Sequence, residues 1–364
     1  MKISIIAGAR PNFVKIAPII HALQKCETEK LRIRLIHTGQ HYDEKMSESF
    51  FKDLNISQPD INLGVGSGSQ AQQTAAIMIE FEKELIKNPA DLVMVVGDVT
   101  STMACAIVAK KLNTKVAHVE AGIRSFDLTM PEEINRMVTD AIADYFFTTT
   151  ALASENLKKN GITDDKIFFV GNVMIDTLMA NLNKLTKPQI YDDMNLQEKK
   201  YIVLTMHRPA NVDETDKLKQ SIEEITSSVK GLPVIFPIHP RTAKIFDNAG
   251  INHSNLFVTD PMGYLEFNFL VKNSMAVITD SGGITEETTV LGIPCITMRN
   301  NTERPETCTI GTNELIGTDP ANIKPALQKL FSGNWKKGKI PELWDGNTAN
   351  RIVKIISEIG KFNY

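Results

Sequence analysis

The sequence predicts an α/β protein built from two Rossmann-like domains, each a mostly parallel sheet covered by helices on both faces. Three observations predict it. Short apolar runs alternate with amphipathic stretches along the whole chain. The chain has 364 residues, more than one ordinary α/β domain holds. A polar stretch at residues 184–200, with Pro188 inside it, interrupts the alternation about midway.

In the first half, residues 3–7, 33–38, 92–96, 116–119, 145–148 and 167–170 read as strands. They are short, near-continuous apolar runs of the kind buried on both faces of a parallel sheet. Helical periodicity marks residues 14–23, 71–86, 103–111, 133–143 and 154–160. Residues 184–200 read as a linker. A second series follows, with strands at 201–205, 234–237, 256–258, 276–279 and 295–298 and helices at 218–229, 242–249, 264–271, 286–291 and 323–330. The expected domains are 1–180 and 181–348, and a last helix at 349–359 can pack on either.

Composition narrows the function classes. With 42% hydrophobic and 23% charged residues, each half can bury a core. A net charge of −3 argues against a general nucleic-acid or membrane-surface binder, which needs a basic face. No apolar stretch approaches the roughly 18 residues of a membrane span. The apolar N-terminal run is too short for a signal peptide and reads as the first buried strand, so the cytoplasm is expected. Cys26, Cys105, Cys295 and Cys308 form no CxxC pair and read as reduced, mostly buried thiols, with neither metal nor disulfide expected.

Ligands of α/β sheets bind beyond the carboxyl ends of strands, so the residues just after each strand are the candidates. After the first come Gly8, Arg10, Pro11 and Lys15. A tight turn, a helix start and two cations suit an anion, although a plain turn with solvated charges explains them too. No GxGxxG or GxxxxGK[ST] occurs, which disfavours a dinucleotide fingerprint and a P-loop. Gln40 and His41 follow the second strand. Asp98 closes the strand at 92–96, where a helix cap is the plain reading. Glu120 ends the next strand; glutamate caps poorly and is costly to bury without a partner. Glu132 and Glu133 open a helix, where one can meet the helix dipole while the other serves a ligand. The second half supplies His207 with Arg208, then His239, and then Asp280-Ser281-Gly282-Gly283. That last turn brings backbone amides to a helix N-terminus, as a phosphate requires, and either Glu286 or Glu287 suits ribose hydroxyls. A charged loop at 301–307 follows the last strand.

In this order, the segments 8–15, 40–41, 97–102, 118–124, 131–136, 207–208, 280–287 and 302–306 resemble the non-hydrolysing UDP-N-acetylglucosamine 2-epimerases. The resemblance covers nearly the whole chain. It implies a GT-B type fold with two domains facing a central cleft, a homodimer, a UDP-sugar substrate and no cofactor or metal. It implies that the last helix crosses back to the first domain. It also implies that the carbon-2 proton is abstracted as UDP leaves carbon 1, and that UDP then re-adds while a proton returns to the opposite face of carbon 2. The catalytic positions it implies are Asp98, Glu120, Glu132, His207 and Lys15. Those for UDP are Arg10 near the base or diphosphate, Ser281 and Gly282 at the phosphates beside Gly283, Glu287 at ribose and Phe267 against uracil, with His239 and Arg304 lining the same side.

Tyr42, Asp43 and Pro209 depart from the arginine and glutamine that many bacterial members carry there. The departure implies a poorly equipped activating site for a second substrate molecule. A UDP-2,3-diacetamido sugar as substrate, a GT-B glycosyltransferase, a hydrolysing epimerase and a non-enzymatic sugar-nucleotide binder are the competing readings.

Overall fold

Val, Ile and Leu runs with buried side chains on both faces build two parallel sheets. The computed structural model describes residues 1–26, 31–39, 51, 53–238 and 240–362. It divides into two compact units, Met1–Ala180 with Glu342–Tyr364, and Asn181–Pro341. Among the described residues no helix is long and apolar enough to cross a membrane.

The first unit holds strands β1 (Lys2–Ala7), β2 (Arg32–His37), β3 (Ile61–Asn62), β4 (Leu92–Val96), β5 (Lys115–Ala121), β6 (Tyr145–Thr148) and β7 (Ile167–Phe169) in the order β3-β2-β1-β4-β5-β6-β7. All pairings are parallel. The chain winds outward from β1 and then restarts on its other side at β4, so the topological switch point lies between these two strands. Ile6, Ile36, Val93 and Val95 pack on one face against Ile77, Phe81 and Leu85 of the helix Gln70–Lys87.

Helix Val173–Asn181, absent from the sequence reading, anchors the end of the chain. Its Asp176 accepts from the amides of Thr348 (3.1 Å) and Ala349 (2.7 Å), which start the helix Thr348–Phe362. That helix packs on Arg10–Lys25. Buried Trp344 donates to the Thr149 carbonyl at 3.1 Å. The segment belonging to the first unit therefore begins at Glu342, ahead of the expected 349.

The second unit holds β8 (Ile202–Thr205), β9 (Val234–Pro237), β10 (Leu256–Thr259), β11 (Ala276–Thr279), β12 (Cys295–Thr297) and β13 (Asn313–Leu315), ordered β10-β9-β8-β11-β12-β13. Its switch point lies between β8 and β11. Alternate residues serve opposite faces: Ile202, Leu204, Phe236 and Ile278 face one core, Tyr201, Val203, Ile235 and Val277 the other. The stretch read as a linker is not one. Ile190, Tyr191, Met194 and Leu196 fold it onto the second core, partly as the helix Gln189–Asp193. Strands β3 and β13 also escaped the sequence reading, because two or three residues at a sheet edge carry no detectable alternation.

Candidate active site

In the first unit the site grows from the β1/β4 switch point. Asn12 Oδ1 accepts from the amides of Gly8 and Ala9, each at 3.0 Å, and its Nδ2 donates to the Val96 carbonyl at 3.0 Å. One side chain thus ties the ends of both strands. Helix Arg10–Lys25 then delivers Lys15, half-buried, with Nζ 2.6 Å from Oε2 of the buried Glu120. Glu120 sits on a bulge: the β5–β6 register slips between Val119 and Ala121. It adopts φ 68°, a left-handed conformation costing a non-glycine residue about 1–2 kcal/mol. Such a bulge re-aims a side chain, here off the sheet face and onto the lysine. Gly97 lets them approach. A Cβ there would lie 3.1 Å from Lys15 Nζ and 3.7 Å from Glu120 Oε2.

Asp98 is not a helix cap. Helix Thr100–Lys111 starts from Val99 without a side-chain cap. The Asp98 carboxylate instead pairs with the buried guanidinium of Arg136, and its carbonyl accepts from Asn135 Nδ2 at 2.8 Å. Arg136 also holds Glu133 at 2.8 Å. Glu133 is buried and accepts from Ser125 N, Ser125 Oγ and Phe126 N, so it fixes the preceding loop. Its neighbour Glu132 is exposed, without a hydrogen bond or ion pair among the described residues. The structure therefore brings together Lys15, Glu120 and the Gly97-Asp98 corner, and it does not bond Glu132 to them.

In the second unit, residues after β8 and β11 meet. The buried Asp280 carboxylate accepts from the amides of His207 (3.0 Å) and Arg208 (2.9 Å) and from Asn211 Nδ2 (3.1 Å). His207 Nδ1 lies 2.8 Å from Asp280 Oδ1, with the ring 49% exposed. Burial pushes the Asp280 carboxyl up, but His207, the Arg208 amide and Asn211 together hold it below the usual carboxylate range. An ionised Asp280 takes the Nδ1 proton of His207 as a hydrogen bond and leaves Nε2 free for proton transfer or for an anion. Asp280 was missed as an individual candidate, although it carries the signal that flagged Asp98, an aspartate closing a buried strand.

Ser281 is the cap residue of the helix Gly282–Leu291, and Gly282 and Gly283 form its first turn. Its first amides face away from the helix and suit a phosphate. A Cβ on Gly282 would lie 3.8 Å from Arg299, which grips Glu303 through two bonds of 2.8 and 2.9 Å. Arg304 is buried with its Nε 2.6 Å from Glu286, so Glu286 is a structural partner of the arginine. Phe267 is half-buried against the second core. Gln40, His41, Tyr42, Asp43 and His239 lie outside the described residues, as does the Arg10 side chain. Among the described residues no group of three or more His, Cys, Asp or Glu side chains is arranged to hold a metal ion.

Glu287 accepts from Tyr264 Oη at 2.8 Å, with Asn268 Nδ2 at 3.5 Å. Burial raises its carboxyl from 4.5 to about 7, against the opposing pull of those two donors. A raised folded-state value means that the stabilisation is complete at low pH and is lost as pH climbs through about 7. The expected loss is roughly 3 kcal/mol. Urea midpoints should fall between pH of about 5 and about 8, and Glu287→Gln should flatten that dependence. An unchanged slope in the variant would assign the effect elsewhere.

Two doubly wound parallel sheets, one ending in carboxylates paired with lysine and arginine and the other in a His–Asp pair beside a glycine helix N-terminus, define a two-unit α/β protein equipped for acid–base chemistry. A family model described as UDP-N-acetylglucosamine 2-epimerase matches residues 24–357, and the chain belongs to this family. It is 42% identical to the UDP-N-acetylglucosamine 2-epimerase of Methanocaldococcus jannaschii over all of both chains. The crystal structure of the M. jannaschii UDP-GlcNAc 2-epimerase in complex with UDP-GlcNAc and UDP matches with TM-score 0.89 and 42% identity, covering 98% of this chain and 100% of that one. The UDP-2,3-diacetamido-2,3-dideoxy-D-glucuronate 2-epimerase of Pseudomonas aeruginosa is 40% identical over 87% of this chain and 88% of the relative.

Proposed function

We propose that this protein interconverts UDP-N-acetylglucosamine and UDP-N-acetylmannosamine without net hydrolysis. The observation that carries the reading is Glu120, a carboxylate forced into a left-handed bulge and paired with Lys15 at the sheet's switch point. In the proposed reaction a carboxylate of the first unit takes the carbon-2 proton. The carbon-1–oxygen bond breaks and UDP departs with the bonding pair, leaving a glycal. UDP then adds back through the same oxygen, and a proton returns to the opposite face of carbon 2. Asp98, Glu120 and Glu132 supply the acid and base groups, with Lys15 controlling the charge on Glu120. His207, oriented by Asp280, and the amides of Ser281, Gly282 and Gly283 receive the diphosphate. Arg10, His239 and Arg304 complete the UDP set, with Glu287 for ribose and Phe267 for uracil.

Incubation with UDP-N-acetylglucosamine in heavy water should place one deuteron on carbon 2 of both epimers, without accumulation of free UDP. Absence of that label would refute the reading. Accumulating UDP would mark a hydrolysing enzyme instead. The similarity to the P. aeruginosa enzyme supports a second reading, a UDP-2,3-diacetamido sugar as substrate. The same assay with both sugars ranks the two by kcat/KM.

A homodimer fits the apolar surface of the first unit. The packed helices Gln70–Lys87, Thr100–Lys111 and Pro131–Ile142 leave Ile79, Ile86, Ile134 and Met137 between 44% and 63% exposed. A second copy of the chain is the proposed cover. Light scattering should give twice the monomer mass, falling to one for Ile79→Glu combined with Ile134→Lys. The four free cysteines are consistent with the cytoplasm, where thiols stay reduced.

A further inference from the structure

The strained Glu120 does not stand by itself. Two residues before it, His118 is buried with Nδ1 2.7 Å from Asp140 Oδ1 and Nε2 2.9 Å from the Gly97 carbonyl. Two residues after it, the Gly122 amide donates to Asp140 Oδ2 at 3.1 Å. Asp140, from the helix Pro131–Ile142, thus grips β5 on both sides of the bulge. Arg124 adds a third bond to the same carboxylate at 2.6 Å. Through His118 the grip extends to Gly97, the residue that precedes Asp98 and packs against Lys15 and Glu120.

We propose that the buried His118–Asp140 pair is a positioning device for the reaction: it fixes the backbone at Gly97 and across the Glu120 bulge, and so sets where the Asp98 and Glu120 carboxylates point. Neither side chain needs to touch substrate. Both nitrogens of the His118 ring face oxygens, so one rigid ring bridges the two corners. Misplacement of a reacting group by about 1 Å costs on the order of 100-fold in rate. The inference rests on the epimerase reading for its assay.

The test compares His118→Gln, His118→Phe and Asp140→Asn with the native enzyme in the heavy-water exchange assay. A fall in kcat of about 10- to 100-fold is expected for His118→Gln and Asp140→Asn, and a larger one for His118→Phe. UDP affinity should stay within about twofold, because the contacts disturbed belong to proton transfer and not to nucleotide binding. The primary isotope effect with carbon-2-deuterated substrate should rise as that transfer becomes slower. Asp144→Asn is the control. Asp144 makes a comparable strap at the other end of β5, accepting from the Val116 amide at 2.8 Å and from Lys110, so its loss should lower Tm and leave kcat alone. A kcat within twofold of native in His118→Gln, or a loss that tracks UDP affinity, would each overturn the proposal. A native enzyme that fails to exchange carbon 2 would instead overturn the epimerase reading.

Discussion

Glu120→Gln is expected to reduce carbon-2 exchange by about 1,000-fold or more, because an amide cannot carry the proton that the reaction moves. The change is nearly isosteric, so the bulge and its left-handed φ of 68° survive. What disappears is the charge facing Lys15 across 2.6 Å. Lys15 then keeps its full positive charge without that counter-ion, which adds an electrostatic penalty to the chemical one. UDP binding should change little, since the proposed phosphate contacts at Ser281, Gly282 and Gly283 and the Asp280–His207 pair belong to the second unit. Asp98→Asn should behave alike, with the further consequence that Arg136 loses the Asp98 charge while its bond to Glu133 stays. Calorimetric titration of UDP beside the heavy-water assay separates binding from chemistry. Native exchange rates in either variant would remove that carboxylate from the mechanism.

Gly122→Ala should be severely destabilising, at roughly 4 kcal/mol or more. Gly122 follows the bulge with φ 77°, and an added Cβ would lie 2.2 Å from the Ala153 carbonyl oxygen and 3.0 Å from Leu157 Cγ. The obstacle is backbone, which cannot rotate away. Any shift would also strain the Gly122 amide bond to Asp140 and the Asn156 bond to the Gly122 carbonyl, at 3.1 and 2.9 Å. Gly161, in the same unit, has φ 85° with nothing within 4 Å of its would-be Cβ. Gly161→Ala therefore isolates the conformational cost, about 1–2 kcal/mol. Urea unfolding of both variants measures the difference. Equal losses would mean that the Ala153 backbone yields and that the close approach carries no energy.

The candidate residues were legible because α/β sheets confine useful side chains to the ends of strands, and the strands were legible as apolar runs. What misled was local plausibility. Asp98 read as a possible cap and Glu132 and Glu133 read alike, yet Arg136 takes Asp98, and Glu133 is the buried member of the pair. Residues 184–200 read as a linker because their charges mask Ile190, Tyr191, Met194 and Leu196, whose burial depends on a core built elsewhere in the chain.

By itself the sequence determined the alternation of elements, the division into two α/β halves and the chemistry available after each strand. All of these follow from residue type and short-range spacing. Only the tertiary structure decided the strand order that places β1 beside β4 and β8 beside β11, the bulge that turns Glu120, and the pairing of Lys15 with Glu120, Arg136 with Asp98 and His207 with Asp280. Most of these contacts join residues tens of positions apart, and the bulge appears only against the neighbouring strand. Their energies depend on burial and geometry that no local window contains.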